Sequence, residues 1–291
     1  MTFQPLVPGD TIGIVAPASS VTEDQMQPAM RWLESFGYAV KLGKSVGARD
    51  RFLAGADADR ARDLTDMFRD DSVKAILIGR GGYGSSRLLE LVDWSSIAAH
   101  PKPFVGFSDT TAFQLALYAK TGMVSYTGLS LSTDVREGTP DQPLNRDLID
   151  LLAGRRMQDG EGLAGEDASG KLLGGCLSLL VHLLGTPWLP RLDKRLLFLE
   201  DVGESLYRVD RMLNQLLLSG ILKTVSAVLI GTFYGCEGDA EDGTVTEVVE
   251  DFKGRCPCPV IEGLPFGHGL PRRVLPIGRE AQVSGGRLRI V

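Results

Sequence analysis

Short apolar runs alternate with segments of helical periodicity along the first half of the chain. The apolar runs are rich in β-branched residues, which is typical of buried strands, and lie at 10–16, 38–42, 73–78, 103–105 and 123–126. Between them, apolar side chains recur three and four residues apart, which predicts helices at about 22–36, 57–68, 85–92 and 112–120. This alternation predicts right-handed crossovers and a mostly parallel, doubly wound sheet.

The pattern changes in the second half. Residues 132–169 mix prolines and glycines with many charges, which predicts a linker around one short helix at 145–152. Further strands are predicted at 195–199, 225–230 and 260–264, and helices at 204–222 and 246–252. The final residues, 281–291, alternate on both sides of Gly285-Gly286, which predicts a hairpin. We therefore expect an α/β protein with an N-terminal domain at 1–131 and a smaller C-terminal domain at 170–291.

Composition narrows the class of function. The 291 residues carry a net charge of −6, with a pI near 5.2 and no long basic cluster, which argues against a nucleic-acid or anionic-membrane surface. The N-terminus lacks the features of a signal peptide, and the most apolar stretch, 172–189, is interrupted by His182 and Pro187, so we expect a core segment and a cytoplasmic protein. The four cysteines lack metal-ligand spacing, so free thiols and no metal are expected.

A serine at a strand-to-helix junction is the first candidate for chemistry. Ser108 follows the apolar run 103–105 and precedes a helix that is predicted to end at Gly122. Such a turn pushes a nucleophile out of the sheet edge and offers the amides of a helix N-terminus to a negative charge. The G-x-S-x-G pattern is incomplete, because Thr110 replaces the second glycine. Ser108, Asp109 or Thr111 as a helix cap, with Thr111 and Gln114 in a capping box, is the alternative.

A serine nucleophile requires a base, and the chain has three histidines. His100 precedes the strand that Ser108 follows, so it falls at the opposite end of that strand. His182 lies among leucines, which predicts a core position. His268 stands between two glycines just past a predicted strand and is the best candidate, although a surface loop residue is the alternative.

An orienting acid is expected where the apolar strand 195–199 ends. Asp201 and Glu204 fit a capping box for the following helix, which leaves Glu200 unassigned. The order Ser108, Glu200, His268 is that of the α/β hydrolases. A solvated or helix-associated charge is the alternative for Glu200.

Two further loops lie at predicted strand ends. Gly79-Arg80-Gly81-Gly82-Tyr83-Gly84 lacks the ending of a P-loop, so it is a phosphate cradle, a structural turn or an oxyanion donor loop. Arg208 begins the helix after Glu200 and is placed to meet a substrate carboxylate, or else pairs with a neighbouring acid on the helix surface.

Taken together and in order, these loops resemble the LD-carboxypeptidases of serine peptidase family S66, a group that includes the microcin-immunity peptidases. The matching pieces are Gly9-Asp10-Thr11-Ile12, Ala16-Pro17-Ala18-Ser19, Arg80-Gly81-Gly82-Tyr83-Gly84, Gly106-Phe107-Ser108-Asp109-Thr110-Thr111, Gly174-Gly175-Cys176-Leu177, Leu199-Glu200-Asp201, Tyr207-Arg208-Val209-Asp210-Arg211 and Gly267-His268-Gly269.

The resemblance implies a flavodoxin-like or amidotransferase-like N-terminal domain with Ser108 as nucleophile, and a C-terminal domain that carries Glu200 and His268 as acid and base. It also implies an oxyanion hole from the amides of Asp109 and Gly82. The substrate-binding candidates are the side chains Arg80, Tyr83, Arg87 and Arg208. The chain departs from the family at Cys176, where asparagine is usual, which puts the polar contact of that side chain in doubt.

The implied activity is release of a C-terminal D-amino acid, D-alanine, from cytoplasmic murein tetrapeptides in cell-wall recycling, by a homodimer without cofactor or metal. Three alternatives remain. One is a microcin-immunity-type peptidase that cleaves an aminoacyl-adenylate analogue, and another is a non-catalytic protein that binds a small ligand. The third is an enzyme that binds a nucleotide at the glycine loop.

Overall fold

A computed structural model describes residues 3–136, 142–155, 160–239 and 241–291. The chain divides into two compact units, Met1–Met157 and Gln158–Val291. Each unit has its own sheet with helices, so the predicted two-domain α/β class is confirmed. The predicted limits of the linker, 132–169, stay a prediction.

The first unit is built on a parallel sheet. Its strands are β1 (Thr11–Val15), β2 (Ala39–Leu42), β3 (Val73–Ile78), β4 (Phe104–Gly106) and β5 (Ser125–Thr127). They lie in the order β5-β4-β3-β1-β2, with every pair parallel. This is the flavodoxin-like order, in which the chain reverses direction across the sheet between β1 and β3. Ligands of such sheets collect at the carboxyl ends of the strands, and the loops after β1, β3 and β4 lie there.

The helices of the first unit follow the predicted alternation, with one error. They are α1 (Glu23–Ser35), α2 (Asp57–Arg69), α3 (Trp94–Ala99), α4 (Thr111–Thr121), α5 (Leu131–Asp134) and α6 (Pro143–Leu152). A Thr22–Gln25 capping box begins α1, and Gly122 ends α4 at φ 68°, as predicted. The helix predicted at 85–92 was wrong, because only a short 3-10 turn forms at Ser85–Leu88 and α3 follows it.

The second unit contains a mixed sheet of seven strands in the order β10-β9-β8-β7-β12-β13-β6. Those seven strands are β6 (Gly160–Glu161), β7 (Ala168–Cys176), β8 (Arg195–Val202), β9 (Ala227–Tyr234), β10 (Val260–Ile261), β12 (Glu280–Ser284) and β13 (Arg287–Ile290). The unit also contains β11 (Leu275–Ile277), which is not part of that sheet. Strands β7 to β10 are mutually parallel, and β12 and β13 form the predicted antiparallel hairpin across Gly285-Gly286.

The helices of the second unit are α7 (Leu177–His182), α8 (Leu206–Ser219) and α9 (Val245–Arg255). The apolar stretch that was predicted as core forms the end of β7 and then α7, and His182 at the end of α7 is exposed. The core position predicted for His182 was therefore wrong. The helices of the described ranges are too short or too polar to span a membrane.

Strand β8 is longer than predicted. It continues past Leu199 to Val202, so Glu200 and Asp201 belong to the strand, and both side chains are buried. Helix α8 begins after Ser205, and the Ser205 side chain accepts no capping hydrogen bond from the first turn of the helix. The predicted Asp201–Glu204 capping box was therefore wrong, because the Asp201 carboxylate accepts hydrogen bonds elsewhere, from the amides of Ser178 and Val202.

Candidate active site

Ser108 lies at a tight turn between β4 and α4. Its φ is 61°, in the left-handed region that residues other than glycine enter at a cost of about 1–3 kcal/mol. A 3-10 turn, Ser108–Thr110, follows and leads into α4. The side chain is half-buried at the carboxyl end of β4. This is the geometry that the sequence predicts for a nucleophile elbow.

Thr110 accounts for the missing second glycine of the elbow pattern. Its Oγ1 accepts a hydrogen bond from the Phe107 amide at 2.8 Å and donates one to the Phe107 carbonyl at 3.0 Å. A Cβ on Gly106 would lie 2.5 Å from that Oγ1, so the first glycine is required by the threonine. The residue that breaks the pattern therefore holds the turn in shape.

The capping box predicted for Thr111 and Gln114 was wrong. Gln114 Nε2, the side-chain amide nitrogen, donates instead to the Tyr126 carbonyl at 2.8 Å and to Ser125 Oγ at 3.3 Å. Both acceptors lie on β5. This buried glutamine joins α4 to the sheet rather than to its own N-terminus.

The loop after β3, residues 79–84, passes directly against Ser108 and is called the glycine loop below. A Cβ on Gly81 would lie 2.9 Å from Ser108 Cβ and 3.3 Å from Ser108 Oγ. Gly82 has φ 99°, and a Cβ there would lie 2.2 Å from Ser19 Oγ. Ser19 Oγ in turn accepts a hydrogen bond from the Tyr83 amide at 3.1 Å. Glycine is thus required at both positions for the loop to approach the serine and the loop after β1.

Asp109 holds the glycine loop in place. Its carboxylate accepts hydrogen bonds from the amides of Ser85 at 2.7 Å and Gly84 at 3.2 Å, while Ser85 Oγ donates to the Asp109 carbonyl at 2.7 Å. The side chain is 1% exposed. Burial raises the pKa of this carboxyl, and the hydrogen bonds from Ser85 and Gly84 offset part of that rise.

Arg60 connects the same loops from α2. Its guanidinium is fully buried and donates to the carbonyls of Gly84, at 3.0 Å, and Pro17. Asp57 compensates its charge and also receives a bidentate contact from Arg87, with Arg87 Nη2 2.6 Å from Asp57 Oδ2. The sequence offered no signal for Arg60, because its role depends on carbonyls that are distant along the chain.

The second unit brings Glu200 and His268 together across 68 residues of sequence. His268 Nδ1 lies 2.7 Å from Glu200 Oε2. Glu200 is 0% exposed, and burial raises the pKa of its carboxyl against the lowering effect of the hydrogen bond from His268. An imidazole that donates from Nδ1 to a carboxylate carries its lone pair on Nε2, which is the tautomer that a general base needs.

Glycines on both sides of His268 allow its loop to pack against the end of β9. Gly267 has φ 135°, and a Cβ there would lie 2.8 Å from the Thr232 carbonyl and 3.2 Å from Glu200 Cβ. A Cβ on Gly269 would lie 3.1 Å from Thr232 Cγ2. The buried Arg272 donates to the His268 carbonyl at 3.1 Å. The histidine side chain itself is 18% exposed.

Asp201 and Cys176 lie beside Glu200. Cys176 is the register partner of Glu200 in the parallel pair β7–β8, and its thiol donates to Asp201 Oδ1 at 3.2 Å. Burial, with the charges of Glu200 and Asp201, raises the pKa of this thiol. Cys176 is therefore a neutral donor. Asp201, which the sequence pattern predicted as a helix cap, is instead a carboxylate that joins β8 to the start of α7.

The candidate cations differ in how their charge is compensated. Arg87 is bound to Asp57, and Arg208 Nη1 lies 3.5 Å from Glu204 Oε2. The exposed Arg80 donates to the Ser20 carbonyl at 3.3 Å, and no carboxylate of the described residues lies within 4.0 Å of it. Tyr83, also exposed, contacts the Phe52 ring at 5.8 Å between centroids.

The remaining histidine candidate, His100, has a local contact with the backbone. His100 Nδ1 lies 2.9 Å from the Ser96 carbonyl, ahead of β4 and hence at the strand end away from Ser108. Within the described ranges, no cluster of three or more His, Cys, Asp or Glu side chains is arranged to hold a metal ion.

Comparison with known proteins identifies the family to which the chain belongs. The profile of the LD-carboxypeptidase N-terminal domain matches residues 12–128, and that of the C-terminal domain matches residues 169–283. The probable murein peptide carboxypeptidase of Bacillus subtilis (strain 168) is 38% identical over 290 residues, covering 95% of this chain and 89% of the relative. The murein tetrapeptide carboxypeptidase of Pseudomonas aeruginosa is 33% identical, covering 99% and 97%.

A solved structure agrees with these relatives. The crystal structure of muramoyltetrapeptide carboxypeptidase from Oxalobacter formigenes has a TM-score of 0.85 to this chain at 34% identity, covering 96% of this chain and 98% of that one. Matched by both domain profiles and by relatives along nearly its whole length, the chain belongs to the LD-carboxypeptidases, serine peptidase family S66.

Proposed function

We propose that this chain is a serine carboxypeptidase that releases D-alanine from the C-terminus of murein tetrapeptides by cleaving an L,D-peptide bond. The observation that carries the proposal is the buried Glu200 bound to His268 Nδ1 at 2.7 Å, in a chain whose Ser108 occupies a strained elbow. Relatives named for murein peptides support the substrate class.

In the proposed reaction His268 Nε2 takes the proton of Ser108 as Oγ attacks the carbonyl carbon of the scissile bond. Glu200 stabilises the imidazolium that forms, which then protonates the leaving amine of D-alanine. Water then attacks the acyl-enzyme. His268 Nε2 takes a proton from this water and returns it to Ser108 Oγ, which releases the shortened peptide. We assign the oxyanion to the amides of Asp109 and Gly82, which belong to the turn and the loop that meet at Ser108.

Removal of only the last residue requires a cation for the free carboxylate of the substrate. Of the arginines considered, Arg80 is our choice, because Asp57 and Glu204 already compensate Arg87 and Arg208. Arg80 also directly precedes the glycines that pass against Ser108.

The test is release of D-alanine from a purified murein tetrapeptide, followed by chromatography with a chiral reagent. We expect release by the wild-type chain, no release from the same peptide ending in L-alanine, and at least about 10³-fold slower release by Ser108→Ala with an unchanged melting temperature. Ser95→Ala, which removes an exposed hydroxyl of α3, is the matched control and should keep full activity.

Other outcomes would select the alternatives. Cleavage of an aminoacyl-adenylate analogue in place of the tetrapeptide would identify a microcin-immunity-type peptidase. Tight binding of the tetrapeptide without cleavage, unaffected by Ser108→Ala, would identify a binding protein and overturn the proposal.

A further inference from the structure

Two thiols outside the candidate active site lie in contact with each other. Cys256 directly follows α9, and Cys258 precedes β10, with Pro257 between them. Their Sγ atoms are 3.5 Å apart, and both side chains are half-buried, so reagents from solution reach them. The other two cysteines, Cys176 and Cys236, are 3% and 4% exposed.

The pair is chemically asymmetric. The hydrogen bond from the Cys258 thiol lowers the pKa of Cys256 to about 7, whereas the pKa of Cys258 is raised by the same contact. The carboxyl end of α9 carries a partial negative charge that opposes a thiolate, and the nearby cations are bound to acids, Lys253 to Glu262 and Arg255 to Asp251. The neighbouring thiol is thus the group that stabilises the Cys256 thiolate.

We propose that Cys256 and Cys258 form a reactive dithiol that small organic disulfides oxidise to an intramolecular disulfide. The Cys256 thiolate attacks one sulfur of the reagent RS–SR, which forms a mixed disulfide and releases one thiolate RS⁻. Cys258 then gives its proton to the released RS⁻ and attacks Cys256 Sγ, which expels the second RS⁻; that thiolate takes from solvent the proton that Cys256 had released. The reagent is reduced to two thiols and the protein dithiol is oxidised, so electrons and atoms balance.

The local geometry favours this reaction and makes it reversible. A disulfide requires an S–S separation of about 2.05 Å, so the Sγ atoms, now 3.5 Å apart, must approach by roughly 1.5 Å on oxidation. The ring closed by two cysteines one residue apart is small, so it restricts the unfolded chain little and stabilises the fold little. Such a disulfide is readily reduced again.

The experiment treats the native full-length protein with oxidised glutathione, blocks the remaining thiols with an alkylating reagent, and measures intact and peptide masses. We expect the peptide containing Cys256 and Cys258 to lose two hydrogen atoms and to escape alkylation, and expect reduction to restore it. In the reduced protein, Cys256 should be alkylated roughly tenfold faster than Cys258 near neutral pH.

Two variants separate the roles of the thiols. Cys258→Ser should accumulate a stable glutathione adduct on Cys256, because the resolving thiol is gone. Cys256→Ser cannot form this disulfide, and its Cys258 should form the glutathione adduct more slowly than Cys256 does in Cys258→Ser. Cys236→Ser, which removes a buried thiol, should behave as wild type. Lack of the intramolecular disulfide in the wild-type chain, or equal alkylation rates of the two thiols, would overturn the proposal.

Discussion

The turn that carries Ser108 has a strained backbone and is held by neutral and charged hydrogen bonds. The loop that carries His268 is held by a carboxylate contact and by glycines packed on a strand end. In the first unit, Asp109 and Arg60 form hydrogen bonds with the backbone of the glycine loop. In the second unit, Glu200 contacts the imidazole of His268 itself.

This difference separates two kinds of positioning. A strained φ persists only where surrounding contacts hold it, so the turn at Ser108 depends on several contacts together, whereas the tautomer of His268 depends on one carboxylate. Substitutions in the second unit should therefore act mainly on the chemistry, and substitutions in the first unit should act on loop geometry and on stability as well.

The largest effect is expected from Glu200→Gln. The amide keeps the shape of the side chain but cannot stabilise an imidazolium and favours the wrong tautomer of His268, so kcat should fall by about 10⁴-fold. The measurement is D-alanine release under saturating tetrapeptide. Glu204→Gln, which removes a carboxylate paired with Arg208 at the surface, is the control and should stay within about twofold of wild type.

Gly81→Ala should follow in size. The added Cβ would lie 2.9 Å from Ser108 Cβ, so the glycine loop must move, and we expect kcat to fall by about 10²-fold with a loss of about 1–3 kcal/mol in stability. Gly254→Ala is the matched control, since a Cβ there meets no atom within 4 Å. An unchanged kcat for Gly81→Ala would show that contact of the loop with Ser108 is not needed for catalysis.

Asp109→Asn tests the hydrogen bonds that hold the loop. An NH₂ group replaces one of the two carboxylate oxygens, so one backbone amide loses its acceptor. The free energy of unfolding should therefore fall by about 1–3 kcal/mol and kcat by about tenfold. Asp63→Asn is a close control, because the buried Asp63 also accepts from two backbone amides, Lys44 at 2.9 Å and Ser45 at 3.0 Å. It should lose similar stability and keep its kcat; equal losses of kcat in both variants would assign Asp109 to stability alone.

The smallest effect concerns stability against pH. Burial raises the pKa of the Glu200 carboxyl in the folded chain, so the unfolded chain loses its proton first as the pH rises. The stability that Glu200 contributes is fully present below its unfolded pKa of about 4.3 and is lost as the pH rises through the folded pKa. Urea unfolding of Glu200→Gln between about pH 4 and pH 8 should show a smaller decline than wild type. An identical decline would mean that this carboxyl does not titrate between the two states.

Much of the scaffold follows from local pattern. Strand β3 coincides with its predicted limits because a β-branched apolar run bounded by polar residues has few other stable conformations. Helix α4 ends at Gly122 and the last strands turn at Gly285-Gly286, since glycine adopts a positive φ without steric cost. The elbow at Ser108 was predictable from the same kind of signal.

Errors arose where a polar side chain had a choice between a local and a distant partner. Asp201 and Gln114 each matched a capping pattern, yet Asp201 accepts from the start of α7 and Gln114 donates to β5. The end of β8 was placed too early because acids usually mark the end of a buried strand, and here tertiary contacts keep two of them inside it.

What the sequence by itself determined is the order of strands along the first unit and the final hairpin, the strand-to-helix turn at Ser108 and the choice of His268 and Glu200 as candidates, because these depend on periodicity, glycine conformation and residue chemistry. Only the tertiary structure decided that His268 Nδ1 meets Glu200 Oε2, and that Asp109 and Arg60 hold the glycine loop. Those contacts join residues that are far apart in the chain, and burial gives them their strength, so no local pattern encodes them.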